Sequence, residues 1–457
     1  MSQRKSGIFL HLGYIDRCRE VVPFEYNFIK HLIDSHQTVW QNLPINPPGR
    51  YNSPYSALSS FAGDINLLSE KISVNYNQNE YDVWLERNSD WNKDWALYRC
   101  LKNEFGNKEW YKWPDEYKFR DETSISNFER KRSSCIDKLL LEQFLFDKKW
   151  AHLKQKCNDK GISLFGDVSF YVALDSADVW SNPHLFDLDS NFAPRCVSGV
   201  PPDFFSKKGQ VWHNPLYVWK EHLKTNFKWW QRRIEINKER FDLLRIDHFR
   251  AFVSNWAIPH KSKTAVEGYW RRGPGEKLLR KLLTIFPAEK LVAEDLGIIT
   301  KPVKRLIDNY KIKGMRVLQF GYHSRIPNEH HHTKIDENCV CYIGTHDNNT
   351  IRGWFSEKRD EIGKFSGSYS SLVKNLDLNE ANISKKMIEL AMSTKAEICI
   401  ITIQDLLNMG EEGRINVPGQ NKGNWQLSIG SDELDRVDWN SFRKLTETTD
   451  RIHSISK

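Results

Sequence analysis

Leu243-Leu244-Arg245-Ile246-Asp247 is a short, mostly apolar run that ends in a carboxylate. Read outward, the same signature returns twice. Leu291-Val292-Ala293 runs into Glu294-Asp295, and Cys341-Tyr342-Ile343 runs into Gly344-Thr345-His346-Asp347. Five further short apolar runs have the length and composition of buried strands: 7–10, 38–43, 162–165, 315–320 and 398–401. Helical periodicity fills several of the gaps. Leu139, Phe146, Trp150, Leu153 and Cys157 fall on one helix face. So do Phe227, Trp230 and Ile234, and also Leu278, Leu279, Leu282, Leu283 and Phe286. Eight strands alternating with helices predict a parallel sheet closed as a (β/α)8 barrel, a single catalytic unit over 1–457. An open, doubly wound sheet would show similar patterning.

The spacing is uneven. Far more chain separates the second and third strands than one crossover helix needs, which predicts an inserted, mostly helical subdomain over 65–155. A second excursion, 175–220, is dense in Gly and Pro and is expected as an ordered loop. Long loops in compact domains tend to carry function.

Composition narrows the classes. The 457 residues are 39% hydrophobic and 28% charged, which excludes a disordered chain. A net charge of +8 over this length, with no basic stripe, argues against nucleic-acid binding. No apolar run reaches the ~18 residues a membrane span requires. Eight scattered cysteines with no CxxC pair are expected as reduced, buried thiols in a cytosolic protein. The 17 Trp raise the expectation of a sugar-handling protein, because aromatic faces stack on sugar rings as well as filling cores. His330-His331-His332 is expected as a solvent-exposed loop, with no ligand spacing for a metal. No cofactor is expected.

The chemistry resides in the carboxylates. In a barrel, strand C-termini converge on one face. Acetal cleavage needs one carboxyl to protonate the leaving oxygen and a second to trap the oxocarbenium-like centre. A lone Asp at a strand end is more often a helix cap. Three such motifs, each beside Arg, His or Asn, favour catalysis. Arg245 and Asp247 lie on one strand face, so the cation is expected to depress the Asp247 pKa, while Glu294, with no such neighbour, is expected to be raised. Asp295 points elsewhere and is expected to anchor a sugar hydroxyl or cap a helix. His248 and His346 are candidate donors to sugar hydroxyls.

These segments resemble the 4-α-glucanotransferases, also called amylomaltases or disproportionating enzymes, of glycoside hydrolase family seventy-seven. The resemblance rests on 245–250, 293–297 and 344–348. It extends to Ser53-Pro54-Tyr55-Ser56, to 166–168 with 175–180, and to Gly199-Val200-Pro201-Pro202-Asp203. It also takes in 209–217, Arg414-Ile415-Asn416-Val417-Pro418-Gly419 and Gly423-Asn424-Trp425. It implies Asp247 as nucleophile, Glu294 as acid/base and Asp347 as transition-state stabiliser, acting on α-1,4-glucans. It further implies that Arg245, His248, His346 and Asn348 line the sugar subsite and that Ser53 and Tyr55 stand near the donor. Trp212 and Asn214 would lie on a substrate-covering loop, and Asn424 in a C-terminal segment. A hydrolase of the same chemistry and a non-catalytic glucan-binding protein are the alternatives.

Overall fold

The structure is a computed structural model. It describes residues 3–17, 20–202, 206–322, 326–359, 368–420 and 422–452. Eight parallel strands form its centre: β1 (Lys5–Phe9), β2 (Val39–Gln41), β3 (Ser163–Val168), β4 (Leu243–Ile246), β5 (Leu291–Ala293), β6 (Gly314–Val317), β7 (Cys339–Tyr342) and β8 (Ile398–Thr402). The order β6-β7-β8-β1-β2-β3-β4-β5 leaves β5 and β6 as the two ends, and these meet. The Ala293 N–H donates to the Lys313 carbonyl at 2.8 Å, and the Val292–Lys313 bridge closes the barrel.

The strands are buried on both faces, as a barrel requires. Ile8, Trp40, Leu164, Leu244, Val292, Val340 and Ile400 have no exposed surface. Trp40 keeps its indole N–H satisfied by donating to the Leu10 carbonyl at 2.8 Å. All eight expected strands are present. The run expected at 315–320 ends at Val317, because Leu318–Gly321 turns helical.

Between β2 and β3 the chain is helical. Gln78–Arg87, Asn92–Glu104, Asp115–Lys118 and Glu122–Lys131 precede the 26-residue helix Ser133–Asn158. That helix buries Phe146, Trp150, Leu153 and Cys157, the face read from periodicity. Two helices of this region correct the expectation of reduced cysteines. Asn92–Glu104 packs on Ser133–Asn158 and brings Cys100 and Cys135 to a Cα separation of 6.4 Å, where they form a disulfide. Cys157, Cys196, Cys339, Cys341 and Cys399 are buried free thiols, and Cys18 lies outside the described residues.

The segment expected as an ordered loop holds regular structure instead. Cys196–Val200 and Gln210–Pro215 pair antiparallel, and with Ser254–Pro259 and Tyr269–Arg272 they make a four-stranded sheet beside the barrel. Gly199 reads as a loop residue but is needed inside a strand. A Cβ there would overlap the Gln210 carbonyl oxygen of the partner strand. Asp203 lies outside the described residues.

The histidine cluster is not exposed either. His330 Nδ1 accepts from the Val317 N–H at 3.2 Å, His331 is buried, and His332 shares a hydrogen bond with Tyr322 Oη at 2.8 Å. His330 thereby finishes the end of β6. Among the described residues no helix is long and apolar enough to cross a membrane.

Arg451 ties the C-terminal residues to the barrel. It is fully buried and donates to four carbonyls, those of Met392, Lys5, Ala396 and Thr394, at 2.8–3.0 Å. Arg451→Met fills most of the volume but strands those acceptors, and is expected to cost about 3 kcal/mol. Urea unfolding followed by tryptophan fluorescence measures this as a lowered midpoint.

Candidate active site

The site is built around one buried guanidinium. Asp167 on β3 and Arg245 on β4 are register partners, so both side chains point the same way. Arg245 donates from Nη1 to Asp167 Oδ2 at 2.6 Å and from Nη2 to Asp247 Oδ1 at 2.8 Å. Its Nε reaches Met315 Sδ at 3.4 Å. The Asp167 side chain has no exposed surface, and that of Asp247 keeps 29% open to the cleft.

Tyr55 joins this network from the loop after β2. Its hydroxyl donates to Asp167 Oδ2 at 2.6 Å, and its ring stacks on His346 with centroids 5.1 Å apart. Trp425 lies about as close to both rings, 6.0 Å from Tyr55 and 5.9 Å from His346. Ser53 caps this turn by accepting from the Tyr55 N–H at 3.3 Å. The loops after β2 and β7 are thereby joined to β3.

Glu294 follows β5 and is held by main chain. Its two oxygens accept from the N–H groups of His248 and Leu296, each at 2.8 Å. The His248 backbone is left-handed, with φ 49°. The His248 ring is buried between Trp212, edge-on at 4.8 Å, and Tyr171 at 6.0 Å. Burial, with Arg250 nearby, pushes the His248 pKa down to about 3, so the ring is neutral.

Asp347, five residues past β7, is half exposed. It accepts from Asn416 Nδ2 at 2.6 Å and sits 3.5 Å from His346 Nε2. The loop bearing it is pinned from below. Asp405, after β8, accepts from the Ile351 N–H at 2.8 Å and caps the helix Ile351–Arg359.

Electrostatics separates the two central carboxyls. Burial raises the Asp247 pKa to about 6. Arg245 opposes this, while the negative charges of Asp167 and Asp347 add to it. The expected depression is therefore corrected: the cation is in place, but desolvation and two neighbouring anions outweigh it. Burial, reinforced by the charge of Asp247, raises Glu294 to about 8. At neutral pH the more basic Glu294 keeps its proton while Asp247 is ionised, the division that acid-assisted displacement requires.

The remaining expected site residues divide. Trp212 faces His248. Asn214, on the same strand, accepts from Ser198 Oγ at 3.5 Å. Asn348 accepts from both the N–H and the hydroxyl of Thr345 at 2.9 Å, closing its own loop. Asn424 clips a loop shut by accepting from the Val417 N–H at 3.0 Å and donating to the Val417 and Gln420 carbonyls. Asp295 is not brought to this group. Its oxygens are taken by the Met315 N–H at 2.7 Å and by Arg316 at 3.0 Å, across the seam between β5 and β6.

Three residues without an assigned role are in the network: Asp167, Asn416 and Trp425. Asp167 carried a usable signal, since Leu164-Phe165-Gly166-Asp167 is again an apolar run ending in a carboxylate. Asn416 had no local signal, because its partner Asp347 is 69 residues away.

Comparison with known proteins follows the same lines. The family model described as 4-alpha-glucanotransferase matches residues 69–432. The chain is 38% identical to the 4-alpha-glucanotransferase of Aquifex aeolicus, covering 94% of this chain and 96% of that protein. It is 33% identical to that of Thermus thermophilus, covering 93% and 94%. Among solved structures, the amylomaltase from Streptococcus agalactiae in complex with acarbose is similar with a TM-score of 0.88 and 28% identity, covering 99% of this chain and all of that one. The chain belongs to the 4-alpha-glucanotransferase family of glycoside hydrolase family 77.

Proposed function

We propose that this enzyme moves α-1,4-glucan segments between maltodextrins by retaining double displacement, with Asp247 as nucleophile, Glu294 as acid/base and Asp347 as transition-state stabiliser. The observation that carries the reading is the pairing of an ionised Asp247, held by Arg245, with a protonated Glu294 on adjacent strands.

In the first step an Asp247 oxygen attacks the anomeric carbon of the donor. Glu294 gives its proton to the glycosidic oxygen, and the reducing-end fragment leaves as an alcohol. Positive charge building on the sugar ring is stabilised by the carboxylate of Asp347. The product is a glycosyl ester on Asp247. That ester carries no charge, so Glu294 loses the neighbour that raised its pKa and becomes more acidic. It then accepts the proton of an incoming sugar hydroxyl, which attacks the anomeric carbon and releases Asp247. Two inversions retain the α-configuration.

The surroundings suit a sugar. Tyr55, His346 and His248 offer ring faces and neutral imidazoles to hydroxyls, with Arg245 at the subsite floor and Trp212 on the covering strand. Ser53, Asn214, Asn348 and Asn424 shape the loops that carry them.

Incubation with maltotriose tests the reading. Glucose together with a ladder of longer maltodextrins is expected, all new linkages α by NMR. Glucose with only shorter products would make the enzyme a hydrolase. The pH dependence of kcat/KM should be bell-shaped. Activity needs Asp247 deprotonated and Glu294 protonated, so it rises through about pH 6, falls through about pH 8 and peaks near 7. Glu294→Gln should abolish turnover of maltotriose while still releasing fluoride from α-maltosyl fluoride, whose leaving group needs no proton. Asp247→Asn should lose both reactions, each by about 10³-fold or more. Near-normal maltotriose turnover by Glu294→Gln would refute the role given to it.

A further inference from the structure

The turn that follows Glu294 is anchored from the neighbouring strand end. Within it Leu296 and Ile299 lean on the core, but Gly297 has φ 79° and Ile298 is 47% exposed. Ile298 is held through its carbonyl, which accepts from Arg250 Nη1 at 2.8 Å. Arg250 belongs to the short helical turn Phe249–Phe252, just past Asp247 and His248, and is buried. Its Nη2 donates to Ser254 Oγ at 3.2 Å, and its guanidinium lies 3.8 Å from the centre of the Trp270 ring. Trp270 stands on the edge strand Tyr269–Arg272 and is braced edge-on by Trp256 at 4.9 Å. The planar fork of an arginine spans a carbonyl on one loop and a hydroxyl on another while an indole covers its face.

Three consecutive residues tie the turn after β4 to the turn after β5. The His248 N–H donates to Glu294 Oε2 at 2.8 Å, the Phe249 N–H to the Glu294 carbonyl at 3.2 Å, and Arg250 to the Ile298 carbonyl. The first two bonds grip Glu294 at its own position. The third holds the far end of the turn, beyond Leu296. The Leu296 N–H is the group that fixes Glu294 Oε1, at 2.8 Å. If the far end moves, Oε2 keeps its partner, Oε1 loses its own, and the carboxyl is free to swing. Asp247 does not depend on this turn: Arg245 holds its side chain, and its N–H donates to the Val168 carbonyl at 2.9 Å.

We propose that Arg250 is a positioning residue for the acid/base. Its bond to the Ile298 carbonyl locks the turn that presents the Leu296 N–H, and so keeps the Glu294 carboxyl in one orientation beside Asp247. The inference rests on the acid/base role given to Glu294 above.

The test compares full-length wild type, Arg250→Met, Arg250→Lys, Trp270→Leu and Glu294→Gln on two donors. Maltotriose needs a proton on its leaving oxygen, and α-maltosyl fluoride does not. Methionine keeps an apolar stem against Trp270 and drops both hydrogen bonds. In Arg250→Met, kcat for maltotriose should fall about 10- to 100-fold with KM little changed, the scale on which a misplaced catalytic group loses rate. First-turnover fluoride release should stay within about threefold of wild type, because that step needs no acid and the nucleophile is held separately. Lysine keeps a cationic donor without the fork, so Arg250→Lys should recover part of the maltotriose rate. Trp270→Leu, at a half-exposed position, should show the same selectivity more weakly, and it carries the test if Arg250→Met does not fold. A merely structural role would lower both donors together. Equal losses on the two donors, or unchanged maltotriose turnover in Arg250→Met, would overturn the proposal. If Glu294→Gln is selective for the fluoride and the Arg250 and Trp270 variants are not, the inference falls alone. If Glu294→Gln itself shows no selectivity, the acid/base reading falls and takes the inference with it.

Discussion

Arg245 is the interaction on which the site depends. A guanidinium with 6% of its side chain exposed can remain charged inside a barrel only if anions meet it. Asp167 and Asp247 take its two ends, and Met315 covers its Nε. The planar fork fixes a direction as well as a charge, which a lysine ammonium would not do. Asp247 is held in one orientation by it, and Asp167 in turn holds the hydroxyl of Tyr55. Removing the cation would leave two buried carboxylates facing each other without compensation.

The same buried chemistry explains why the two working carboxyls differ. Both are desolvated, and desolvation raises both. Arg245 offsets part of that cost for both, but it bonds Asp247 directly, whereas Glu294 is bonded by two main-chain N–H groups and has Asp247 as an anionic neighbour. The difference between them is produced by which strand end each occupies. Asp247 shares a strand with Arg245. Glu294 lies one strand over, where the main-chain N–H of His248, not a cation, bonds it. Asp295, adjacent in sequence to Glu294, does unrelated work. It accepts a hydrogen bond from the Met315 N–H of β6 at the seam where the barrel ladder is sparse.

The covering elements follow a different logic. The antiparallel sheet beside the barrel bulges at Trp212-His213-Asn214, and Trp212 there packs edge-on against His248. Asn416 and Trp425 arrive from the C-terminal loop, clipped shut by Asn424. One wall of the site is therefore built from rigid strand ends and the other from loops tied by side-chain hydrogen bonds. Rigid strand ends suit the groups that exchange protons and bonds. Tied loops suit those that meet sugars of varying length.

Local sequence determined what depends on local pattern. Short apolar runs that alternate with helical periodicity read as strands, so all eight were legible, as were the carboxylates at the ends of β4 and β5. The shared face of Arg245 and Asp247 follows from the two-residue period of a strand. The tertiary structure alone decided what depends on distance. Gly199 reads as a loop residue until its partner strand is known to lie too close for a Cβ. Cys100 and Cys135 read as unrelated thiols until two helices pack together. The pKa of Asp247 was misread because its sequence neighbour Arg245 is visible in the chain, while Asp167 and Asp347 reach it only through the barrel. Burial, the largest single cause of the shift, belongs to no segment by itself, because it comes from closing the eight strands into one core.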